Sequence, residues 1–214
     1  MTHTVNRLLI FTRWPQAGRA KTRLIPALGP EGAAHLSGEL TEHCLAYARR
    51  ARERWPSRLE LEVRFEGGSA EDMAGRFGDD LPYAPQGGGD LGARLLRSLR
   101  QAWDDGCRGG LVIGSDCPGL TDEVLGEALD RLEYERAVLG PARDGGYTLL
   151  GLPASLSEAA RTAAFKGISW STAAVAEQTR AALLSHGVPL DELAPLDDID
   201  RPEDLPVWER RPRP

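Results

Sequence analysis

Gly110-Leu111-Val112-Ile113-Gly114-Ser115-Asp116-Cys117-Pro118 is an apolar run that ends directly in an acid and a turn. So short a run, bounded by glycines, reads as a strand buried on both faces. Helical patterns flank it. Upstream, Gly87-Gly88-Gly89 breaks structure and Asp90 caps a helix carrying Leu91, Leu95, Leu99 and Trp103. Downstream, Thr121 or Asp122 opens a helix that runs to about Tyr134. Farther out, Arg7-Leu8-Leu9-Ile10-Phe11-Thr12 repeats the buried-strand signature, and Leu59 to Phe65 alternates strictly. Ala137-Val138-Leu139-Gly140 is a further strand, followed by the turn Asp144-Gly145-Gly146 into Tyr147-Thr148-Leu149-Leu150. One helix, with Leu36, Leu40, Cys44, Tyr47 and Ala51 on its apolar face, starts near Pro30 and stops at Pro56. Others start at Ser69, near Ser171 and at Pro202. Strands alternating with helices predict an α/β fold with a parallel-rich sheet. Ligands of such sheets bind at the carboxyl ends of the strands, so the loops after Thr12, Gly114 and Gly140 share the functional rim.

Composition bounds the partners. The chain has 214 residues, enough for one domain with a real core. We expect a single domain over 1–208 and a mobile tail over 209–214, where Arg and Pro crowd together. A net charge of −6 argues against nucleic acid, which wants a basic surface. No apolar run approaches the roughly 20 residues of a membrane span, and the start Met1-Thr2-His3-Thr4-Val5-Asn6-Arg7 lacks a signal-peptide pattern. A soluble, cytoplasmic protein is expected. Cys44, Cys107 and Cys117 form no disulfide framework, and Asp116 beside Cys117 opposes a thiolate. His3, His35, His43 and His186 have no metal-ligand spacing and read as surface residues. No Gly-x-Ser-x-Gly elbow and no dinucleotide fingerprint is present.

The rim loops carry the chemistry. Of 26 basic residues, 24 are Arg and two are Lys, Lys21 and Lys166, so a lysine here suggests a need for a compact ammonium. Lys21 lies in the irregular loop after the first strand with Arg13, Gly18, Arg19 and Arg23. Four cations and a glycine that permits close backbone approach suit an oligophosphate. A P-loop is excluded, because Pro15 and Ala20 occupy positions where that motif needs glycine. Asp116, directly after a buried strand, can hold a magnesium ion together with phosphate oxygens. Asp198 and Asp200 straddle Ile199 and face one side if extended, where a cation would relieve their repulsion. Gly88, Gly89 and Asp90 offer backbone N–H groups at a helix start to an anion or a base edge.

Together these segments resemble a known family. The ordered set is Phe11, Pro15, Gly18 and Lys21-Thr22-Arg23-Leu24; Gly88-Gly89-Asp90-Leu91-Gly92; Gly114-Ser115-Asp116-Cys117-Pro118; Gly140-Pro141 with Asp144-Gly145-Gly146-Tyr147; Phe165-Lys166-Gly167-Ile168 with Trp170-Ser171-Thr172; and Asp198-Ile199-Asp200 with Pro202-Glu203-Asp204-Leu205. It resembles the bacterial glycosyltransferase-A-like family that includes arsenosugar-biosynthesis glycosyltransferases, within the nucleotide-diphospho-sugar transferases. It is also similar to the phospholactate guanylyltransferases. The resemblance runs from about Leu8 to Leu205 and implies a GT-A, Rossmann-like three-layer sandwich. It implies a magnesium- or manganese-dependent transferase with a nucleoside di- or triphosphate donor and a small-molecule acceptor. Transfer of a sugar from a nucleotide sugar leads; nucleotidyl transfer with pyrophosphate release is the alternative, and a non-catalytic nucleotide-binding module the second. Lys21 and Arg23 would stabilise the leaving phosphate, and Asp144 would orient or deprotonate the acceptor. Asp116, Asp198 and Asp200 would supply the metal ligands. One departure stands out: such folds carry Asp-x-Asp, whereas Cys117-Pro118 follows Asp116, so the second carboxylate must come from Asp198 or Asp200.

Overall fold

Leu8 and Ile10 point to one side of the first strand and Leu9 and Phe11 to the other, and all four are buried. Alternation of side chains thus sends one uninterrupted apolar run into two separate cores. A computed structural model describes residues 5–213. The first strand is β1 (Asn6–Arg13), followed by α1 (Ile25–Arg54), β2 (Leu59–Glu66), α2 (Ala70–Phe77) and β3 (Tyr83–Pro85). Then come α3 (Leu91–Asp104), β4 (Gly109–Gly114), α4 (Asp122–Glu133), β5 (Ala137–Pro141) and β6 (Tyr147–Pro153). The chain ends in α5 (Glu158–Ala163), α6 (Val175–Ser185), β7 (Leu190–Glu192) and α7 (Leu205–Glu209). Among the described residues one seven-stranded sheet has the order β3-β2-β1-β4-β6-β5-β7, and only β6 runs against its neighbours. The expected three-layer, mostly parallel α/β sandwich is what forms.

On one face Leu8, Ile10, Val63, Leu111 and Ile113 pack against Leu45 and Ala48 of α1, Met73 of α2 and Leu129 of α4. On the other, Leu9, Val112, Leu139 and Leu150 pack against Leu95, Leu99 and Trp103 of α3 and Leu183 of α6. Each fully buried Leu or Ile adds roughly 1.5–3 kcal/mol to folding. The chain leaves β1 toward β2 and β3 and later returns to its other flank as β4. The carboxyl ends of β1 and β4 therefore bound the crevice where sheets of this kind bind ligands.

Several boundaries differ from the sequence reading. The α1 segment kinks at Gly29, which takes φ 70°, so the continuous helix begins at Pro30 as expected. The helix expected near Ser171 starts only at Val175, because Ser171 sits in the left-handed region at φ 64°. Strands β3 and β7, of three residues each, and the six-residue α5 have no counterpart in the sequence reading. His43 is not a surface residue: it is buried on α1, within 3.1 Å of the Pro118 carbonyl oxygen and against Trp208 of α7. His35 and His186 are exposed, and His3 lies outside the described residues. Of the expected tail, Glu209 ends α7 and the Arg211 guanidinium lies 3.5 Å from the centre of the Trp208 ring. Among the described residues, no helix is long and apolar enough to cross a membrane.

Candidate functional site

The loop after β1 is irregular but anchored. Ala20 and Leu24 are buried, and the Arg19 and Ala20 amides both donate to the Gln16 carbonyl. Between the two anchors Lys21 adopts φ 46°, ψ 47°. A left-handed lysine costs on the order of 1–2 kcal/mol, the kind of strain that clusters at functional positions. The turn delivers its ammonium to Asp116: Nζ donates to Oδ2 at 2.8 Å. The Lys21 side chain is 12% exposed and that of Asp116 38%, so the pair sits at the mouth of the crevice, not in bulk water.

Asp116 caps no helix, since α4 is opened by Thr121. Its place is fixed from three sides. The Ser115 amide donates to the Phe11 carbonyl at 3.1 Å, and the Ile199 amide donates to the carbonyl of Asp116 itself at 2.9 Å. A Cβ on Gly114 would stand 2.7 Å from the Asp116 carboxylate, so a larger residue there would push that carboxylate out of place. Behind it, the hydroxyls of Thr12, Thr41 and Ser115 hydrogen-bond to one another. Burial pushes the Asp116 carboxyl up, but the adjacent Lys21 ammonium outweighs it and holds the group below its usual range.

Ile199 is the pivot of the third segment. It is fully buried in a small separate cluster with Leu24, Ala33, Leu36 and Leu40, the same cluster that anchors the Lys21 loop. The flanking acids diverge. Asp198 is pushed up to about 6 by burial and by the nearby carboxylates of Asp116 and Asp144. Asp200 accepts from Arg23 instead, and its own amide donates to Asp204 at 3.0 Å. Asp116, Asp144 and Asp198 therefore share one field, while Asp200 is held by a cation. Ile199→Ala should cost about 2–4 kcal/mol, as for other buried large-to-small changes. It should also loosen both site segments, seen as faster amide exchange at Lys21 and Asp198 than a global loss of stability accounts for.

The raised carboxyl makes a second testable point. In the unfolded chain an aspartate titrates at about 3.9. Between there and about 6 the folded protein binds the extra proton, so charging Asp198 opposes folding as pH rises. The penalty is complete above about pH 6 and absent below about pH 4. Asp198→Asn, measured with chelator present, should stabilise by about 1–3 kcal/mol at pH 8 and by nearly nothing at pH 4. Equal effects at both values would show that the carboxyl is not perturbed.

The crevice is a cavity of about 440 Å³. Arg13, Lys21, Arg23 and Arg94 line it, with Glu66, Asp116 and Asp200 among them. Arg13 and Arg94 both pair with Glu66, at 2.8 and 3.2 Å. Other sequence-predicted residues lie off this cavity. Gly18 forms a turn at φ 76° with open space around it. The carbonyls of Gly88 and Gly89 accept from Arg97 and Arg94, and Asp90 accepts from the Ala93 amide as the cap of α3. Their neighbours Gln86 and Leu91 reach the cavity instead. Asp144 sits on the β5–β6 turn, its Oδ1 accepting from the Gly146 amide at 2.8 Å. Glu66 and Arg94 had one sequence signal between them: Glu66 ends an alternating strand on the functional rim. The cysteines are all free and buried, and burial above all pushes the thiols up, Cys107 and Cys117 to about 12.

The crevice thus gathers four cations and three carboxylates at the ends of β1 and β4. A family model described as an uncharacterized protein conserved in bacteria (DUF2064) matches residues 50–172. The chain belongs to this family. A provisionally assigned nucleotide-diphospho-sugar transferase from Desulfovibrio desulfuricans is 30% identical, with a TM-score of 0.83 over 98% of this chain and 87% of its own. The 4-diphosphocytidyl-2C-methyl-D-erythritol synthase of Anaerococcus prevotii shares the fold at 12% identity, with a TM-score of 0.64 over 98% and 97% of the two chains. A CMP:2-keto-3-deoxy-manno-octonic acid synthetase complexed with CTP does so at 10% identity, with a TM-score of 0.55 over 95% and 96%. No curated protein matches the chain at significant similarity. Family and fold thus agree with the resemblance read from the motifs.

Proposed function

We propose that the protein is a magnesium-dependent transferase that moves a sugar from a nucleotide-sugar donor to a small-molecule acceptor. The observation that carries this reading is the meeting of Lys21 and Asp116 across the carboxyl ends of β1 and β4, in a cavity that also holds Arg13, Arg23 and Arg94. The 30%-identical relative, similar over most of its length, supports it. A leaving nucleoside diphosphate gains charge in the transition state, and fixed cations beside it lower the barrier. Lys21 and Arg23 are such cations. Each is now paired with a carboxylate, so a phosphate replaces one anionic partner by another without stranding the cation.

The donor set fits magnesium. That ion takes one or two carboxylates plus substrate phosphates in preference to an all-protein cage. Burial and the nearby carboxylates of Asp116 and Asp144 hold the Asp198 carboxyl up, a like-charge arrangement that a cation beside them would relieve. Among the described residues no three acidic, histidine or cysteine side chains form a ready-made cage. Bound magnesium would neutralise phosphate oxygens of the donor. On the acceptor side, the Asp144 carboxylate takes the hydroxyl proton as that oxygen attacks the sugar carbon and the bond to the nucleoside diphosphate breaks.

Four cations around the cavity also suit a triphosphate, and this favours the second reading, in which an acceptor phosphate attacks the α-phosphorus and pyrophosphate leaves. Product analysis separates the two. With magnesium, sugar nucleotides and a mixture of acceptors, the leading reading expects acceptor-dependent nucleoside diphosphate. Pyrophosphate from a nucleoside triphosphate would establish the second reading. Tight nucleotide binding without turnover would leave a binding module.

A further inference from the structure

A second cavity, of about 480 Å³, adjoins the first and shares Arg23, Leu91 and Asp200 with it. Its wall is built from the Trp170-Ser171-Thr172-Ala173 segment, which the nucleotide-side chemistry leaves unused. Two glycines fit the wall in place. A Cβ on Gly92 would stand 2.7 Å from the Trp170 indole nitrogen, and one on Gly145 would stand 2.2 Å from the Ala173 carbonyl oxygen. Ser171 holds a left-handed φ of 64° beside them. Trp170 meets Tyr147 edge to face, with ring centres 6.3 Å apart. The Tyr147 hydroxyl is buried and has no hydrogen-bond partner among the described residues, an arrangement that costs folding free energy unless something supplies one.

The charges differ in kind from those of the first cavity. Five carboxylates, of Asp144, Asp197, Asp198, Asp200 and Asp204, face three guanidinium groups, of Arg23, Arg143 and Arg201. Arg143 is paired with Asp197 at 3.1 Å and Arg23 with Asp200. Asp204 is occupied by the amides of Asp200 and Arg201. Among the described residues neither Asp144 nor Asp198 forms an ion pair, nor does Arg201, and the excess charge of the lining is negative. That net negative lining disfavours a phosphate dianion. It does not disfavour an uncharged polyol: carboxylates accept from adjacent hydroxyls, and an indole face covers the apolar C–H face of a sugar ring.

We propose that this second cavity is the acceptor pocket and receives an uncharged, hydroxyl-rich group, to the exclusion of phosphorylated ones. The proposal rests on the transferase reading above and sharpens it, because nucleotidyl transfer to a phosphate would need cations where this pocket places carboxylates.

The test is saturation-transfer NMR of the whole protein with glycerol, ribose and glucose, alongside ribose 5-phosphate and glucose 6-phosphate. Binding confined to unphosphorylated members is expected, weakened about tenfold or more by Asp144→Asn. That exposed variant keeps an acceptor for the Gly146 amide and should leave the fold intact. Trp170→Phe should weaken the same ligands while retaining most of the packing. Three results would overturn the proposal: preference for the phosphorylated members, binding by no member, or binding indifferent to both variants. Parallel titration with CTP and UDP-glucose keeps the two claims apart. Nucleotide binding that needs Lys21, with no polyol binding, sinks the acceptor pocket and spares the transferase; polyol binding with no nucleotide binding overturns the transferase reading and leaves a polyol site that serves no donor.

Discussion

Lys21→Ala should lower donor affinity or turnover by about 10- to 100-fold, as expected for losing a charge-assisted contact to phosphate. Lys21 is mostly buried and paired with Asp116, so the substitution also touches stability. It strands the Asp116 carboxylate beside Asp198, at a cost of about 1–3 kcal/mol. Adding Asp116→Asn to Lys21→Ala should recover most of that stability and none of the activity. The double variant, compared by denaturant unfolding and by turnover, separates the structural role of the pair from its phosphate role. Lys21→Arg should rescue poorly, because a planar guanidinium does not fit a pocket shaped around a compact ammonium on a left-handed backbone. Full activity in Lys21→Ala would remove the lysine from the mechanism.

Asp116→Asn has the larger expected effect on chemistry. It removes the fixed carboxylate paired with Lys21 in the crevice, and magnesium-dependent turnover should fall by about 10²-fold or more. Stability should move little, within about 1 kcal/mol, because two changes oppose each other. Lys21 loses its partner, while Asp198 loses a like-charged neighbour and its carboxyl falls back toward the ordinary range. NMR titration of Asp198 in the variant reads the second change directly. An unchanged Asp198 titration would mean that the two carboxylates do not share a field.

How much of this was legible in the sequence depends on how local each signal is. Strands β1 and β4 were readable because burial on both faces leaves an unbroken apolar run. Strands β3 and β7 were not, since three residues carry no period and pair only because a neighbour offers an edge. Lys21 stood out by composition and Asp116 by following a buried strand, and neither signal needs tertiary information. The divergence of Asp198 from Asp200 was hidden, because it depends on Ile199 being buried beneath the Lys21 loop. Period-two spacing placed both acids on one side, but Arg23 claims one of them from 177 residues away. Glu66 and Arg94 meet only because the β2 end and the start of α3 converge on the same rim. The second cavity was equally hidden, since Gly92, Gly145 and Trp170 come together only when α3, the β5–β6 turn and the segment before α6 pack.

The most direct test of the central claim, that the crevice between β1 and β4 binds a nucleotide phosphate through Lys21, is a thermal-shift titration with magnesium. Nucleoside triphosphates and sugar nucleotides are screened against the wild-type protein and Lys21→Ala. A ligand at 100 times its dissociation constant adds roughly 2.7 kcal/mol, which for a chain of this size raises Tm by about 5–10 °C. Such a rise is expected with at least one nucleotide in the wild-type protein, as is its collapse in Lys21→Ala relative to that variant's own ligand-free Tm. An equal rise in both proteins, or no rise with any nucleotide, would contradict the claim.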